Sequence, residues 1–361
     1  MKKNLLRLMV ILAATLAHPG AWALPYSNLY ILGDSLSDQG NLYAATQDLF
    51  PPGIAPIPAD DHYFQGRFSN GEIYAGLLAT KLGLSSTRSS AGGNNFAYGG
   101  ARTDYNRVEA NAPVNLGGIL PTGARPWSLN LERDAFAARG INDPDALYVV
   151  WSGANDLGDI IPLALTGQTA LAAQFLNAAV IGVKDVINVY LAAGAQTILV
   201  PNIPDLGLVP DVFGQDPLFP GAPPLVAQTA TALTQQFNTA VDLMLSGYGG
   251  VNIIRYDSFN FLRNVVANPG AYGLINANAA CYTGFVAPAG PNDTVCANPD
   301  GYLFWDGEHP SAAFHQLIAD QFFAAVPEPG TVLLFLVGLA ALWGAQRRQA
   351  SSGLLQGAQQ G

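Results

Sequence analysis

Residues 29–41 read Leu-Tyr-Ile-Leu-Gly-Asp-Ser-Leu-Ser-Asp-Gln-Gly-Asn, a short apolar run that leads directly into a polar turn. The run shows no alternation of polar and apolar residues, which predicts a strand buried on both faces. Ligands of open α/β sheets bind at the carboxyl ends of strands, so this pattern places Ser35 at the reactive edge. Gly33 permits a tight turn, and we expect a helix that begins near Ser35 and directs its first amides at a developing oxyanion. A turn that only caps a helix has the same composition, so this stretch alone leaves both interpretations open.

Further apolar runs alternate with helical patterns along the chain. The four runs are Leu29–Leu32, Ala146–Trp151, Thr197–Val200 and Val251–Tyr256, and the helical patterns cover about 71–82, 171–193, 224–247 and 311–325. Strands separated by helices that are long enough to cross over predict a parallel sheet covered on both faces. No repeat or linker divides this region, so we expect one α/β domain over residues 24–325.

The overall composition excludes one class of function. Hydrophobic residues make up 50% of the chain, charged residues 12%, and the net charge of -10 has no compensating basic cluster. Nucleic-acid binding needs a basic patch or stripe, so we do not expect it. The sequence implies no metal and no organic cofactor.

The two ends of the chain differ from this domain. Residues 1–23 combine basic residues, an apolar run and a final Ala-Trp-Ala, which is the pattern of a secretory signal removed by signal peptidase. Residues 326–361 begin Val-Pro-Glu-Pro-Gly and continue with an apolar segment at 331–345 that precedes Arg347 and Arg348. That segment is marginal in length for crossing a membrane, and the basic pair is expected to stay on the cytoplasmic side.

A histidine near the end of the domain supplies a base for Ser35. A serine nucleophile needs a base, and the base needs an orienting carboxylate. His309 has Asp306 three residues before it, so a short turn brings a carboxylate to one ring nitrogen and leaves the other for Ser35. His62 lies in a polar loop and is interpreted as a surface residue, and His315 lies within a helix and is interpreted as structural. We therefore predict Ser35, His309 and Asp306 as the reacting residues.

Two further turns at strand ends supply hydrogen-bond donors. The Trp151–Asp156 segment offers the side-chain amide of Asn155, and the Asn94–Ala101 segment has glycines that permit close approach of a backbone N–H. Each signal is weak by itself, because such turns are common. Asp34, Asp38, Asn41 and Asp156, which neighbour these positions, are expected to accept turn amides and order the loops.

With all four segments in order, the sequence resembles the GDSL, or SGNH, hydrolase family. The matching blocks are Gly33–Leu36, Asn95–Ala101, Gly153–Asp156 and Asp306–His309, and Gly66–Gly71 and Pro201–Gly207 are similar to its lipase/acylhydrolase branch. The resemblance spans about 28–325. It implies a flavodoxin-like three-layer α/β/α sandwich with a central parallel sheet, and hydrolysis of carboxylic esters through an acyl-enzyme.

The resemblance also implies the oxyanion donors. They are the amide of Ser35, the amide of Gly100 and the side chain of Asn155. Counting from Asn95 favours Gly100, and a slip of one residue makes Gly99 the donor instead.

Residues 326–361 resemble the PEP-CTERM sorting signal of Gram-negative bacteria with extracellular polysaccharide. The resemblance implies transient engagement of the inner membrane, removal of the tail by an exosortase, and delivery from the periplasm to the outer surface or matrix. Residues 349–361 make this tail longer than such signals usually are.

The two cysteines, Cys281 and Cys296, lie in a Gly/Pro/Asn-rich stretch of an exported chain, which predicts a disulfide. A metal or redox pair is the alternative, but further ligands and the C-x-x-C spacing are missing.

The substrate stays open at this stage. A small ester, a lipid and an acetylated polysaccharide all fit, and the loop aromatics Phe50, Phe64, Tyr98 and Tyr105 suit either an acyl groove or a sugar platform. The alternative to an esterase is a non-catalytic matrix or carbohydrate-binding protein on the same fold.

Overall fold

The computed structural model of the protein describes residues 26–49, 56–103, 127–213, 224–286 and 288–327. By internal contacts Tyr26–Val326 form one unit. The predicted secretory signal, the apolar segment at 331–345 and the loop residues Phe50 and Tyr105 lie outside the described residues.

A parallel sheet forms the centre of this unit. Strands β1 (Leu29–Gly33), β2 (Leu147–Trp151), β3 (Thr197–Pro201) and β4 (Asn252–Tyr256) are hydrogen-bonded in that order. They correspond to the four predicted apolar runs, with ends that differ by one residue. Every pairing is parallel, as expected for strands that are separated by crossover helices.

A fifth segment lies on the other side of β1. The amide of Ile31 donates to the carbonyl of Asn94 at 3.2 Å, and the amide of Phe96 donates to the carbonyl of Ile31 at 2.7 Å. The chain therefore passes first to one side of β1 and later to the other, as in flavodoxin-like sheets, where ligands bind at this change of direction. That point is the carboxyl end of β1, directly before Ser35.

Helices connect the strands. They are α1 (Asn41–Leu49), α2 (Tyr74–Lys81), α3 (Leu129–Ala138), α4 (Ala154–Leu165), α5 (Thr169–Ala192), α6 (Pro210–Phe213), α7 (Pro224–Leu245), α8 (Ser258–Ala267) and α9 (Ala312–Ala325). The predicted patterns at 71–82, 171–193, 224–247 and 311–325 correspond to α2, α5, α7 and α9. Shorter helices such as α3 and α4 were not predicted, and α4 carries Pro162, which interrupts a helical pattern.

Aromatic contacts from one strand show that helices cover both faces of the sheet. Tyr148 and Trp151 of β2 are three residues apart, so their side chains point to opposite faces. The Tyr148 ring packs against Tyr190 of α5 at a centroid distance of 4.9 Å. The Trp151 ring packs against Tyr74 of α2 and Phe322 of α9, both at 5.3 Å. The predicted three-layer α/β/α sandwich with a central parallel sheet is therefore confirmed.

Helix α5 is also long and apolar enough, by composition, to cross a membrane. It contacts β2 and α7, and its buried side chains include Val183, Val186 and Ile187. These contacts are those of a core helix that crosses from β2 to β3.

The stretch 268–304 holds a small second sheet. Strands β5 (Asn276–Ala280) and β6 (Tyr302–Phe304) pair in it. The predicted disulfide between Cys281 and Cys296 is present here. β6 leads directly into the turn that carries Asp306 and His309, so this small sheet positions the carboxyl-terminal motif.

Candidate active site

Ser35 lies two residues beyond β1, in a turn with a fixed backbone. Gly33 pairs with Trp151 of the neighbouring strand, and a Cβ at this position would lie 2.6 Å from the Trp151 carbonyl oxygen. Only glycine lets the two strands approach so closely. The carboxylate of the buried Asp34 accepts the amide of Leu36 at 3.1 Å, which closes the turn around Ser35.

The helix after Ser35 begins later than predicted. α1 starts at Asn41, and the buried carboxylate of Asp38 accepts the amides of Gly40, Asn41 and Leu42 at 2.8, 2.6 and 3.1 Å. A carboxylate already occupies the position where an anion binds a helix N-terminus. The prediction of a helix that begins near Ser35 and faces the oxyanion is therefore wrong, and Asp38 is the reason.

The three predicted reacting side chains lie within hydrogen-bond distance of one another. Nε2 of His309 is 3.0 Å from Oγ of Ser35. Nδ1 of His309 is 2.8 Å from Oδ2 and 3.0 Å from Oδ1 of Asp306. The backbone amide of His309 also donates to Oδ1 of Asp306 at 2.6 Å, so the same carboxylate holds both the backbone and the ring. Both residues are buried, with 4% of His309 and 0% of Asp306 exposed.

A fourth side chain joins this group, one that the sequence did not single out. The hydroxyl of Tyr63 donates to Oδ2 of Asp306 at 2.6 Å, and the amide of Glu308 donates to Oδ1 at 2.9 Å. Burial alone would raise the pKa of Asp306, but the charge of His309 and these hydrogen bonds outweigh it and hold the pKa below its ordinary value. Burial alone would lower the pKa of His309, but the Asp306 carboxylate, with Glu308 and Asp34 adding to it, raises that pKa.

The glycine turn next to Ser35 leaves one amide without an acceptor. The amide of Ala101 donates to the carbonyl of Tyr98 at 3.2 Å, and Gly100 has φ 72°, as the third residue of a type II turn requires. The amide of Gly99 donates to Oδ2 of Asp38 at 2.9 Å. No acceptor for the Gly100 amide is found among the residues that the structure describes.

Asn155 lies in the first turn of α4, close to this glycine turn. Its Nδ2 donates to the carbonyl of Ala101 at 3.2 Å, which leaves its second hydrogen available. Gly153 directly before α4 has φ 127°, and a Cβ there would lie 2.5 Å from the ring of Phe237. Glycine at this position therefore lets α4 begin where Asn155 lines the same cavity as Ser35.

Glu132 of α3 is a second residue that sequence reasoning missed. One carboxylate oxygen accepts the amide of Gly33 at 3.0 Å, and the other accepts the amide of Tyr98 at 3.1 Å. Glu132 thus joins the end of β1 to the glycine turn, and burial raises its pKa well above the ordinary value. In the sequence it is only one acidic residue in the first turn of a short helix, which is a common pattern.

A cavity of about 360 Å³ lies beside Ser35. Its wall near Ser35 is polar and includes Arg102, Asn155, Asp159, Glu308 and His309, whereas most of the rest is apolar. The apolar lining includes Trp151, Leu206, Val209, Val212, Phe261, Leu262, Phe314 and Ile318.

Of the aromatic residues suggested from the sequence, Phe64 and Tyr98 lie in the described part of the chain, and neither lines this cavity. Phe64 lies at the surface under the guanidinium of Arg67, and Tyr98 stacks on Trp127 at 5.5 Å. The lining instead comes from residues after β3 and from α8 and α9, which lie far from Ser35 in the sequence.

A family model described as GDSL-like Lipase/Acylhydrolase matches residues 29–322. This chain belongs to that family. A second model, the PEP-CTERM protein-sorting motif, matches residues 325–348, and it indicates export in a Gram-negative bacterium with a sorting step at a membrane-anchored carboxyl terminus. The predicted membership of the GDSL family and the predicted PEP-CTERM signal are both confirmed.

Several curated proteins are similar to this GDSL-family chain. Esterase EstA of Pseudomonas aeruginosa is 30% identical, with 90% of this chain and 50% of EstA covered. A GDSL esterase/lipase of Arabidopsis thaliana is 26% identical, with 81% and 87% covered. Phosphatidylcholine-sterol acyltransferase of Aeromonas hydrophila is 24% identical, with 82% and 88% covered. The chain spans half the length of EstA.

Of the other two histidines of the GDSL-family domain, His315 agrees with its interpretation as a structural residue, whereas His62 is half-buried rather than a surface residue. His315 is buried in α9, its Nδ1 accepts the amide of Tyr74 at 3.3 Å, and burial lowers its pKa to about 3. It is therefore a neutral structural residue. His62 stacks on Tyr282 in a partly exposed loop, with a ring centroid distance of 4.4 Å.

Proposed function

We propose that this GDSL-family protein is an exported esterase in which Ser35 attacks the ester carbonyl, His309 accepts the proton and Asp306 orients the imidazole. The observation that carries the proposal is the continuous contact from Ser35 Oγ to His309 Nε2 at 3.0 Å and from His309 Nδ1 to Asp306 Oδ2 at 2.8 Å. These distances are within the range that a nucleophile, its base and the orienting group need. The raised pKa of His309 makes it a stronger proton acceptor.

The reaction proceeds in two halves. Ser35 Oγ forms a bond to the carbonyl carbon and transfers its proton to His309, and His309 then gives this proton to the leaving alcohol as the ester C–O bond breaks. Water attacks the acyl-Ser35 ester, again with proton transfer through His309, and the carboxylic acid and the free serine result. Asp306 stays ionised throughout and stabilises the imidazolium, as its lowered pKa favours.

The oxyanion in this mechanism is held by the amides of Ser35 and Gly100 and the side chain of Asn155. The Gly100 amide, which has no acceptor among the described residues, supports this assignment over Gly99, whose amide donates to Asp38 at 2.9 Å. Donors that are fixed before the reaction are worth most, because no reorganisation is needed when the charge develops.

The shape and lining of the cavity support the proposal that it binds the acyl chain of the substrate. Its lining follows the carboxyl ends of the strands from Ser35 after β1, past Trp151 of β2 and Leu206 after β3, to Ser258 after β4. Three strand spacings make this path about 14 Å long. Such a length suits a chain of roughly ten carbons with C–C bonds of about 1.5 Å. Apolar walls favour a hydrocarbon over a sugar, which needs polar groups to bind its hydroxyls.

The ends of the chain determine where this activity would be used. The first 23 residues are proposed to be removed by signal peptidase. The segment 331–345 is proposed to engage the inner membrane until an exosortase cleaves the tail and the domain reaches the outer surface or matrix. The PEP-CTERM match at residues 325–348 supports this route.

The test compares the purified protein with its Ser35→Ala variant on p-nitrophenyl acetate, butyrate, octanoate and palmitate. We expect turnover that depends on Ser35 and a higher kcat/KM for octanoate than for acetate. A fluorophosphonate probe should label the wild type and a control Ser246→Ala variant, which changes an exposed serine, but not Ser35→Ala. Turnover that survives in Ser35→Ala would refute the assignment. Absence of both turnover and labelling would favour the non-catalytic binding protein.

A further inference from the structure

Helix α4 holds the glycine turn by three side chains in its first two turns. Residues 99–103 are called the glycine loop below. The pairs are Asn155 with the Ala101 carbonyl, Asp156 with the amide and hydroxyl of Thr103, and Asp159 with the guanidinium of Arg102. Three consecutive residues of the loop are therefore attached to one helix.

The Arg102 contact differs from the other two because the same side chain also holds the carbonyl of Gly100. Nε and Nη2 of Arg102 donate to the two carboxylate oxygens of Asp159, both at 3.0 Å. Nη1 donates to the carbonyl of Gly100 at 2.8 Å. A planar guanidinium makes such a fork in one geometry, whereas a lysine cannot.

This contact fixes the residue that is most free to rotate. Gly100 has no Cβ, so its backbone angles are weakly restrained by its own structure. The amide of the preceding residue, Gly99, is held by Asp38, and the carbonyl of Gly100 is held by Arg102. The Gly100 amide lies between these two anchors, and its direction is set by both.

The ion pair between Arg102 and Asp159 is largely shielded from solvent. The Arg102 side chain is 12% exposed and the Asp159 side chain 20% exposed, and both line the cavity next to Ser35. All three guanidinium nitrogens already have acceptors within the protein. Arg102 is therefore better suited to hold the loop than to bind a substrate carboxylate.

We propose that Arg102 and Asp159 are positioning residues that fix the Gly100 amide in the direction an oxyanion requires. The proposal rests on the esterase mechanism above. It predicts that loss of the pair weakens transition-state stabilisation and leaves ground-state binding of the ester almost unchanged. Removal of an oxyanion donor costs about 100- to 1000-fold in kcat. A donor that is present but loosely held should cost less, about 10- to 100-fold.

The experiment measures kcat and KM on a soluble short-chain ester for Arg102→Met, Arg102→Lys, Asp159→Asn and the double variant of Arg102→Met with Asp159→Asn. Affinity for an alkylboronic acid, which forms a tetrahedral adduct with the serine, is measured beside them. Arg133→Met is the matched control, because Arg133 also pairs with carboxylates and its side chain is 24% exposed, but it does not line the cavity.

We expect kcat and boronate affinity to fall by the same factor in Arg102→Met, with KM within about threefold of the wild type. Arg102→Lys should recover only part of the loss. The kcat of the double variant should be no lower than that of the less active single variant, because both changes break the same ion pair between Arg102 and Asp159. Arg133→Met should retain wild-type kcat.

Two results would overturn the proposal. One is an increase of KM at unchanged kcat, which would make Arg102 a substrate contact. The other is a kcat for Arg102→Met equal to that of Arg133→Met. If Arg102→Met does not fold, Asp159→Asn decides, since it keeps the size of the side chain. Failure of the mechanism itself is seen separately, as activity that persists in Ser35→Ala.

Discussion

The hydroxyl of Tyr63 offers the sharpest test of how Asp306 is held. It donates to Oδ2 of Asp306 at 2.6 Å, and both residues are buried, with 4% and 0% exposed. Tyr63→Phe removes this hydrogen bond and keeps the ring, which packs edge-on against Tyr282 at 6.0 Å. A net hydrogen bond to a charged group contributes about 1.5–3 kcal/mol. We expect the variant to lose about that much free energy of unfolding at neutral pH.

The same change should move the pH profile in a defined direction. The Tyr63 hydrogen bond lowers the pKa of Asp306, so its removal makes the carboxylate more basic and a stronger partner for the imidazolium of His309. The pKa of His309 rises further, and the acid limb of kcat/KM moves to higher pH.

The stability that the Tyr63 hydrogen bond contributes should also depend on pH, and it should be lost at acidic pH. A carboxyl with a lowered pKa contributes stability above its ordinary pKa, and this stability is lost as the pH falls through the folded-state value. The Tyr63→Phe deficit in unfolding free energy should therefore be full at neutral pH and shrink at strongly acidic pH, where Asp306 is protonated. Chemical denaturation at several pH values measures it.

Tyr282 supplies the matched control for these measurements. It is fully buried in the same aromatic cluster, and its hydroxyl has no hydrogen-bond partner among the described residues. Tyr282→Phe should leave both stability and the pH profile close to wild type. If Tyr63→Phe and Tyr282→Phe lose equal stability, or if the acid limb does not move in Tyr63→Phe, the role of the Tyr63 hydroxyl is refuted.

Three further predictions follow from the same structure. Gly33→Ala should lose about 1–3 kcal/mol of stability, because its Cβ would lie 2.6 Å from a backbone oxygen of β2. Gly158→Ala in helix α4 should gain about 0.5–1 kcal/mol, because a Cβ there meets nothing within 4 Å among the described residues. Denaturation curves test both variants, and equal effects would contradict the steric argument. Reduction of the Cys281–Cys296 disulfide, with a separation of 15 residues, should cost about 3 kcal/mol, and an unchanged melting temperature would oppose it. The acid limb of wild-type kcat/KM should lie above the ordinary histidine pKa of 6.5 because the pKa of His309 is raised and the base must be neutral; a limb below that value would contradict the assignment.

The fold and the contacts among the reacting side chains follow from short stretches of sequence. The strands are continuous apolar runs, and Ser35 and Asn155 follow strands of the central sheet, where local order places them at one edge. His309 follows β6 of the small second sheet. Asp306 is three residues from His309, so their contact is a local one. Each of these features depends on a few neighbouring residues, which is the information that a sequence pattern contains.

The supporting residues could not be found in this way. Tyr63 is 243 residues from Asp306, and Glu132 is 99 residues from the Gly33 amide that it accepts. Neither residue type is unusual where it occurs, and only the folded arrangement brings the partners together. The late start of α1 was missed for a related reason, because a Ser/Asp-rich turn does not show which carboxylate caps the helix.

The buried carboxylates accept backbone amides of the glycine turn and of the strand end beside it. Asp38 accepts the amide of Gly99, and Glu132 accepts the amides of Gly33 and Tyr98. Burial raises the pKa of Asp38 to about 6 and that of Glu132 well above its ordinary value, so their ionised forms are held at a cost in stability. Each buried amide needs an acceptor, and these carboxylates supply one for every amide of the turn except Gly100 and Ala101. Since Ala101 closes the turn on Tyr98, Gly100 is the residue of this turn whose amide finds no acceptor among the described residues. In the proposed mechanism, these unfavourably buried carboxylates are therefore the groups that leave the Gly100 amide to act as an oxyanion donor.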